Sequence, residues 1–175
     1  MSSYLKYLEK NDSLFKEQKQ KKIRRELFEW LEAVVFAVVA VVLCFTFIFR
    51  IVGVDGESMY PTLKHLDKVV ISHLADTPKN GNIIVITQPN TVNKPLIKRI
   101  SAVGGQKLDI NFYSGDVKVD GVVLDEPYIA EKTTLYGDVE FPLIVPDGYV
   151  FVMGDNRNMS YDSRNTGIGM IDTRY

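Results

Sequence analysis

The chain has 175 residues, with 21 Lys and Arg against 22 Asp and Glu, and 46% of its residues are hydrophobic. This balance excludes a polycation that binds nucleic acid, and the hydrophobic content excludes a disordered chain. The only cysteine, Cys44, excludes a disulfide scaffold. These averages combine three consecutive segments of different character.

The first segment, residues 1–29, is mostly polar and precedes a long apolar run. Lys and Arg are enriched on the cytoplasmic side of membrane spans. We therefore expect a cytoplasmic N-terminal segment that forms a helix continuous with the apolar run. The basic residues that support this orientation are Lys16, Lys19, Lys21, Lys22, Arg24 and Arg25.

The second segment contains seventeen consecutive uncharged residues, 33–49. A bilayer core about 30 Å thick requires roughly 20 helical residues. We predict a transmembrane anchor helix over residues 30–52, with Trp30 at the inner interface. Two alternatives are a buried core helix, for which the run is long, and a cleaved signal peptide, for which residues 45–52 offer no small-x-small site.

The third segment, residues 53–175, consists of short β-branched runs separated by Gly, Pro, Asn and Asp. The pair Asp120-Gly121 is typical of a tight hairpin turn with positive φ angles. We expect a mainly β fold, in which a single coiled all-β domain follows one N-terminal transmembrane α-helix. The predicted strands are 68–72, 83–87, 96–103, 107–112 and 149–153, with a hairpin over 117–123.

The first candidate site lies in residues 54–63, Val-Asp-Gly-Glu-Ser-Met-Tyr-Pro-Thr-Leu. Pro61 restricts the backbone, and Gly56 is expected to let another chain approach closely. Ser58 therefore lies at a stiff junction between a strand and a turn. A serine in such a context is also an ordinary turn residue, so this segment alone does not identify a nucleophile.

The second candidate is Lys98, within the strand predicted over residues 96–103. Alternation along the strand places Lys98 on the same face as Leu96 and Ile100. The lysine could extend past the sheet edge into solvent. Alternatively, burial could lower its pKa and make it a neutral general base.

The third candidate is the polar segment 154–164, directly after an apolar strand. It could be a solvated loop or a hydrogen-bonded turn that orients a catalytic group. In the second case Asp162 and Arg164 are close enough to pair, and Ser160 could contact an amine. His65 and His73 lack partners at metal-ligand spacing, and no glycine-rich phosphate loop is present, so we predict no metal, nucleotide or other cofactor.

In this order and behind an anchor, the three segments resemble the bacterial type I signal peptidases, in particular the Gram-positive type with one N-terminal anchor. The resemblance implies a coiled all-β catalytic domain in which Ser58 is the nucleophile and Lys98 the general base. It further implies that Ser160 hydrogen-bonds the lysine, that Asp162 and Arg164 form a supporting pair, and that Gly56 replaces a hydroxyl donor found in some relatives. The motifs that carry the resemblance are Glu29-Trp30, residues 56–63 and 81–86, Lys98-Arg99, residues 125–128 and 154–157, and Asp162-Ser-Arg164.

The implied protein is a membrane-anchored serine endopeptidase that removes signal peptides from secreted preproteins through an acyl-enzyme. Its partners would be these preproteins and membrane lipid, with no nucleic acid. It would cross the bacterial cell membrane once, with the N-terminus cytoplasmic and the catalytic domain outside. The substrate would bind as an added strand. The expected substrate contacts are Asp55, Gly56, Met59, Leu96 and Ile97.

Some positions depart from the family pattern: Asn82, Gly104, Gln106 and Met159 replace residues common in relatives, and relatives usually continue into another strand beyond a segment like 167–171. These departures leave both implied dyad residues in place. One alternative is a non-catalytic, membrane-anchored assembly or chaperone protein for secreted or surface proteins. A third reading, a self-cleaving regulator with a related fold, is disfavoured by the span and by the lack of a DNA-binding segment.

Overall fold

The computed structural model describes residues 2–72 and 77–174 and divides the chain into two compact units, Met1–Arg50 and Ile51–Tyr175. The first unit is dominated by one helix, α1, over Ser2–Phe47. Within α1, the stretch Lys16–Thr46 is long and apolar enough to cross a membrane, and none of its most apolar part is buried. The helix therefore runs without a break through the expected cytoplasmic segment and into the apolar run.

The apolar run does not stay helical to residue 52, where the predicted anchor ends. Helix α1 ends at Phe47, and strand β1 follows over Phe49–Gly53. Aromatic and β-branched residues favour a strand, and β1 pairs with β2, Lys68–Ser72, in a two-stranded sheet. Hydropathy alone does not distinguish the end of an apolar helix from an apolar strand.

The second unit contains two four-stranded antiparallel sheets, which confirms the predicted mainly β fold class. Its strands are β3 Ile83–Ile86, β4 Leu96–Val103, β5 Lys107–Asn111, β6 Asp116–Val119, β7 Val122–Val123, β8 Leu143–Ile144, β9 Tyr149–Met153 and β10 Ile171–Asp172. One sheet has the order β10-β9-β4-β3, and the other has the order β7-β6-β5-β8.

The long β-branched runs form strands at their predicted positions, and two of them end one residue early. The predicted hairpin is the β6–β7 pair, whose turn residues Asp120 and Gly121 have φ angles of 51° and 83°. The sequence reading missed the short strands β8 and β10. Two residues carry too little alternation to be recognised without their partners.

Strands β4 and β9 form the centre of the unit because they contribute to both hydrophobic clusters. In β9, Phe151 and Met153 belong to one cluster, and Val150 and Val152 belong to the other. The register of β4 against β9 shifts between Ile100 and Ala102, so these two residues lie in different clusters although they are two positions apart.

Candidate active site

Ser58 lies in the loop that joins β1 to β2. The ends of this loop are tied together, because the backbone N–H of Val54 donates to Asp67 O at 2.8 Å and that of Leu66 donates to Val54 O at 2.9 Å. Gly56 has a φ of +102°, which disfavours residues with a side chain. A Cβ at Gly56 would meet nothing within 4 Å. Glycine is thus required here by the backbone conformation, and the expected close approach of another chain is absent among the described residues.

The structure brings Ser58 and Lys98 together across forty positions of sequence. Lys98 Nζ lies 2.7 Å from Ser58 Oγ, within hydrogen-bonding distance. The Lys98 side chain comes from β4, and the residue is only 3% exposed. Lys98 therefore does not extend past the sheet edge into solvent.

Burial lowers the pKa of Lys98 below its ordinary value of 10.5, because removal from water disfavours the charged amine. The negative charge of Asp162 opposes this shift, the positive charge of Arg164 adds to it, and Asp155 opposes it more weakly. A lowered pKa increases the fraction of neutral amine at physiological pH. A hydroxyl next to a neutral amine can lose its proton while it attacks a carbonyl carbon.

The segment after β9 holds the Ser58 loop in place. The backbone N–H of Asn156 donates to Ser58 O at 3.0 Å, and Asn156 Nδ2 donates to Glu57 O at 3.1 Å. At Gly154 any methyl group would overlap Ser58 O and Ser160 Oγ. The glycine is therefore needed for close packing next to the dyad.

Ser160 packs against Gly154, and its Oγ is buried without a hydrogen-bond partner among the described residues. The hydrogen bond between Ser160 and Lys98 that the resemblance implies is not formed in this structure. Lys98 Nζ is directed at Ser58 instead. A buried hydroxyl without a partner is unusual and costs free energy.

Asp162 and Arg164 form the expected pair, and both are buried. Arg164 Nε donates to Asp162 Oδ1 at 2.8 Å, and Arg164 Nη2 donates to Asp162 Oδ2 at 2.9 Å. Asp162 Oδ2 also accepts the backbone N–H of Gly154 at 3.0 Å. The pair thus fixes the turn after β9, which excludes the solvated-loop interpretation of this segment.

A second ion pair, between a partly buried arginine and a buried aspartate, was missed by the sequence reading. Arg99, next to Lys98, donates two hydrogen bonds to Asp155, at 2.8 and 2.7 Å. Thr62, in the Ser58 loop, donates to the same carboxylate, and the Arg99 guanidinium lies 3.9 Å from the centre of the Tyr128 ring. Asp155 therefore connects the strand of Lys98 to the loop of Ser58.

A third buried ion pair joins Arg157 to Glu126. Arg157 also donates to Gly154 O at 3.1 Å and to Thr133 Oγ1 at 3.0 Å. The available sequence signal was the run Asp-Asn-Arg directly after an apolar strand, which places charged residues beside a core.

A groove of about 300 Å³ opens beside Ser58 and Lys98. Strand β3 covers one side of β4 over Leu96–Arg99, while β9 pairs with β4 only from Arg99 onward. The other side of residues 96–98 is therefore an open strand edge. The groove is lined by Val52, Gly53, Val54, Asp55, Gly56, Ser58, Met59, Val85, Lys94, Pro95, Leu96, Ile97 and Lys98, which include all five expected substrate contacts.

Within residues 2–72 and 77–174, no group of three or more His, Cys, Asp or Glu side chains could hold a metal ion. His65 lies in the same loop as Ser58, and its Nδ1 accepts the backbone N–H of Gly56 at 3.2 Å. His73 lies outside the described residues.

Comparison with known proteins finds one family. Residues 27–174 match the family described as signal peptidase, peptidase S26. A signal peptidase I from Bacillus licheniformis is 33% identical over 169 residues, covering 90% of this chain and 88% of that protein. Signal peptidase I S from Bacillus subtilis strain 168 is 34% identical over 160 residues, covering 85% of this chain and 83% of that protein. A crystal structure of a signal peptidase I from Enterococcus faecalis V583 has a TM-score of 0.46 and 28% identity, covering 57% of this chain and 92% of that one.

Proposed function

The chain belongs to the signal peptidase family, peptidase S26, and we propose that it cuts signal peptides from preproteins with Ser58 as the nucleophile and Lys98 as the general base. The observation that carries the proposal is the 2.7 Å separation of Lys98 Nζ and Ser58 Oγ, with the lysine buried. The family supports a serine peptidase that acts on preproteins bearing signal peptides.

In the first step, neutral Lys98 takes the proton of the Ser58 hydroxyl while Oγ attacks the scissile carbonyl carbon. The C–N bond then breaks, the proton passes from Lys98 to the leaving amine, and an ester with Ser58 remains. Backbone N–H groups, including that of Ser58, stabilise the oxyanion. Because position 56 is a glycine, no side-chain hydroxyl is available there as a further donor.

In the second step, Lys98 is neutral again and takes a proton from water, whose oxygen attacks the ester carbonyl. The C–O bond to Ser58 breaks, and Oγ recovers a proton from Lys98. Both steps require the same amine to gain and lose a proton near neutral pH. The burial that lowers the pKa of Lys98 supports this requirement.

The groove supports binding of an extended substrate. The open edge of β4 at residues 96–98 offers backbone groups to an added strand, and the apolar side chains of Met59, Leu96 and Ile97 line the space beside it. A strand bound there would bring a carbonyl carbon to Ser58.

Helix α1 supports a membrane anchor. Its large apolar side chains are exposed over the apolar run, as expected for a helix surrounded by lipid. The basic residues between 16 and 25 favour a cytoplasmic N-terminus and a catalytic domain on the other side of the membrane. Such an anchor would hold the enzyme in the membrane from which its substrates emerge.

The proposal is tested by incubating the full chain in detergent with a preprotein that carries a signal peptide. We expect cleavage by the unaltered chain and a loss of at least about a thousandfold for Ser58→Ala. Ser114→Ala, a matched change at an exposed serine in another turn, should cut normally. Cleavage that survives Ser58→Ala would refute the assigned nucleophile, and a complete lack of cleavage by the unaltered chain would favour the non-catalytic alternative.

A further inference from the structure

Two charged side chains face each other across the substrate groove. Asp55 belongs to the Ser58 loop, and Lys94 precedes β4. Asp55 Oδ2 and Lys94 Nζ are 3.8 Å apart. Among the described residues that line the groove, Asp55 and Lys94 are the only ionisable acidic or basic side chains besides the buried Lys98.

This ion pair is weak and can open. The side chains of Asp55 and Lys94 are 78% and 70% exposed, and such exposed pairs contribute little to stability. His65 Nδ1 lies 3.6 Å from Asp55 Oδ1. The same nitrogen accepts the Gly56 N–H at 3.2 Å. Lys94 supplies a permanent positive charge opposite Asp55.

The pair lies on the N-terminal side of both Ser58 and Lys98 along the chain. Asp55 is three positions before Ser58, and Lys94 is four positions before Lys98. A substrate strand that runs parallel to β4, with its scissile carbonyl at Ser58, directs the residues before the cut toward the pair. Counted position by position, as neighbouring strands of a sheet pair, the fourth or fifth residue before the cut comes nearest to it.

Resting on the proposed function, we propose that the Asp55–Lys94 pair sets the charge tolerance of this part of the substrate. A basic substrate side chain can pair with Asp55, and an acidic one can pair with Lys94. In either case the new ion pair with the substrate replaces the ion pair between Asp55 and Lys94. The interaction gained and the interaction lost are of similar strength, so the net effect on binding is small. Each residue without its partner would impose a charge preference of opposite sign.

The test uses three precursors that differ only in carrying Lys, Gln or Glu at the fourth residue before the cut, and a second set changed at the fifth. The full chain in detergent should cut all three with kcat/KM values within about twofold. For Lys94→Gln, we expect the Lys precursor to be preferred over the Glu precursor by about two- to fivefold, and for Asp55→Asn the reverse. Both preferences should shrink at about 0.5 M salt, because the site is exposed.

Lys107→Gln and Asp147→Asn remove the same charges at exposed positions outside the groove and should create no preference. Equal ratios for all enzymes in both precursor sets would overturn the inference while leaving the proposed function intact. If no enzyme cuts, the proposed function fails. The affinities of the three peptides, measured with Ser58→Ala added to each variant, then decide the inference: opposite preferences support it, and equal affinities overturn it.

Discussion

The two faces of β4 place the neighbouring side chains of Lys98 and Arg99 in different environments. On the Lys98 face, the amine meets the hydroxyl of Ser58, and burial lowers its pKa. On the Arg99 face, the guanidinium binds Asp155 through two hydrogen bonds, which raise the pKa of Arg99. The fold thus places the lysine, which can lose its proton, next to a hydroxyl, and the arginine, which stays protonated, next to a carboxylate.

The carboxylate with the largest effect on the pKa of Lys98 is hydrogen-bonded to other groups. Asp162 raises the pKa of Lys98, but its oxygens accept hydrogen bonds from Arg164 and from the N–H of Gly154. Within the part of the chain that the structure describes, Lys98 forms no salt bridge, whereas Arg99, Arg157 and Arg164 each bind a carboxylate. The arginines thus engage the nearby carboxylates and leave the lysine able to lose its proton.

Exchanging the cation on the Lys98 face should have the largest effect. Lys98→Arg places a guanidinium, which stays protonated, where the reaction needs a neutral base. We expect kcat/KM for precursor cleavage to fall at least about a thousandfold at every pH from 6 to 10. Recovery of activity at high pH would show that the comparison between the two faces is wrong.

On the Arg99 face, Asp155→Asn should mainly lower stability. The change leaves a partly buried guanidinium without its counter-charge and weakens the link to Thr62 in the Ser58 loop. We expect the free energy of unfolding to fall by about 3 kcal/mol, measured by denaturant titration. Asp116→Asn, which breaks the more exposed pair with Lys132, is the matched control and should cost much less. Equal costs at the two sites would contradict an anchoring role for Asp155.

The reverse exchange, Arg99→Lys, should be milder. Lysine keeps the charge opposite Asp155 but loses the paired hydrogen bonds and the flat contact with the Tyr128 ring. A loss of about 1 to 2 kcal/mol in the free energy of unfolding is expected, with precursor cleavage reduced less than tenfold. A loss of activity as large as that of Lys98→Arg would mean that the faces are not functionally distinct.

The smallest effect concerns the pH dependence of stability. Because the folded-state pKa of Lys98 is lowered, the unfolded chain binds more protons between that pKa and about 10.4, so this group makes stability rise with pH over that interval. Lys98→Met lacks the buried charge. We therefore compare the free energy of unfolding of Lys98→Met with that of the unaltered chain. The difference in favour of Lys98→Met should decrease as the pH rises from 7 toward 10. A difference independent of pH would contradict the lowered pKa.

The features predicted from sequence were those encoded by neighbouring residues. The β-branched runs predicted the long strands, the Asp120-Gly121 pair predicted a hairpin turn, and the order of the motifs predicted the family, which the comparisons confirm. Alternation placed Lys98 on the face of Leu96 and Ile100 but left open whether the amine is buried or reaches solvent, and the structure shows that it is buried. Each of these predicted features is determined by residues that are close together in the sequence.

The features that could not be predicted depend on partners far along the chain. Asp155 meets Arg99 because β9 pairs with β4 in one register, and the same register brings Asn156 to Ser58 O. The packing of Ser160 on Gly154, which leaves Ser160 Oγ without a partner, likewise follows from the close turn after β9. The end of α1 at Phe47 depends on the pairing of β1 with β2.

The central claim, that buried Lys98 is the neutral base of Ser58, is tested most directly by titrating the Lys98 amine. Nuclear magnetic resonance of the full chain with isotope-labelled lysine, assigned with Lys98→Arg, would follow its protonation. The account predicts titration clearly below the ordinary value of 10.5, over the same pH range in which kcat/KM for precursor cleavage rises. Titration of Lys98 together with the exposed lysines, in an enzyme already fully active at neutral pH, would contradict it.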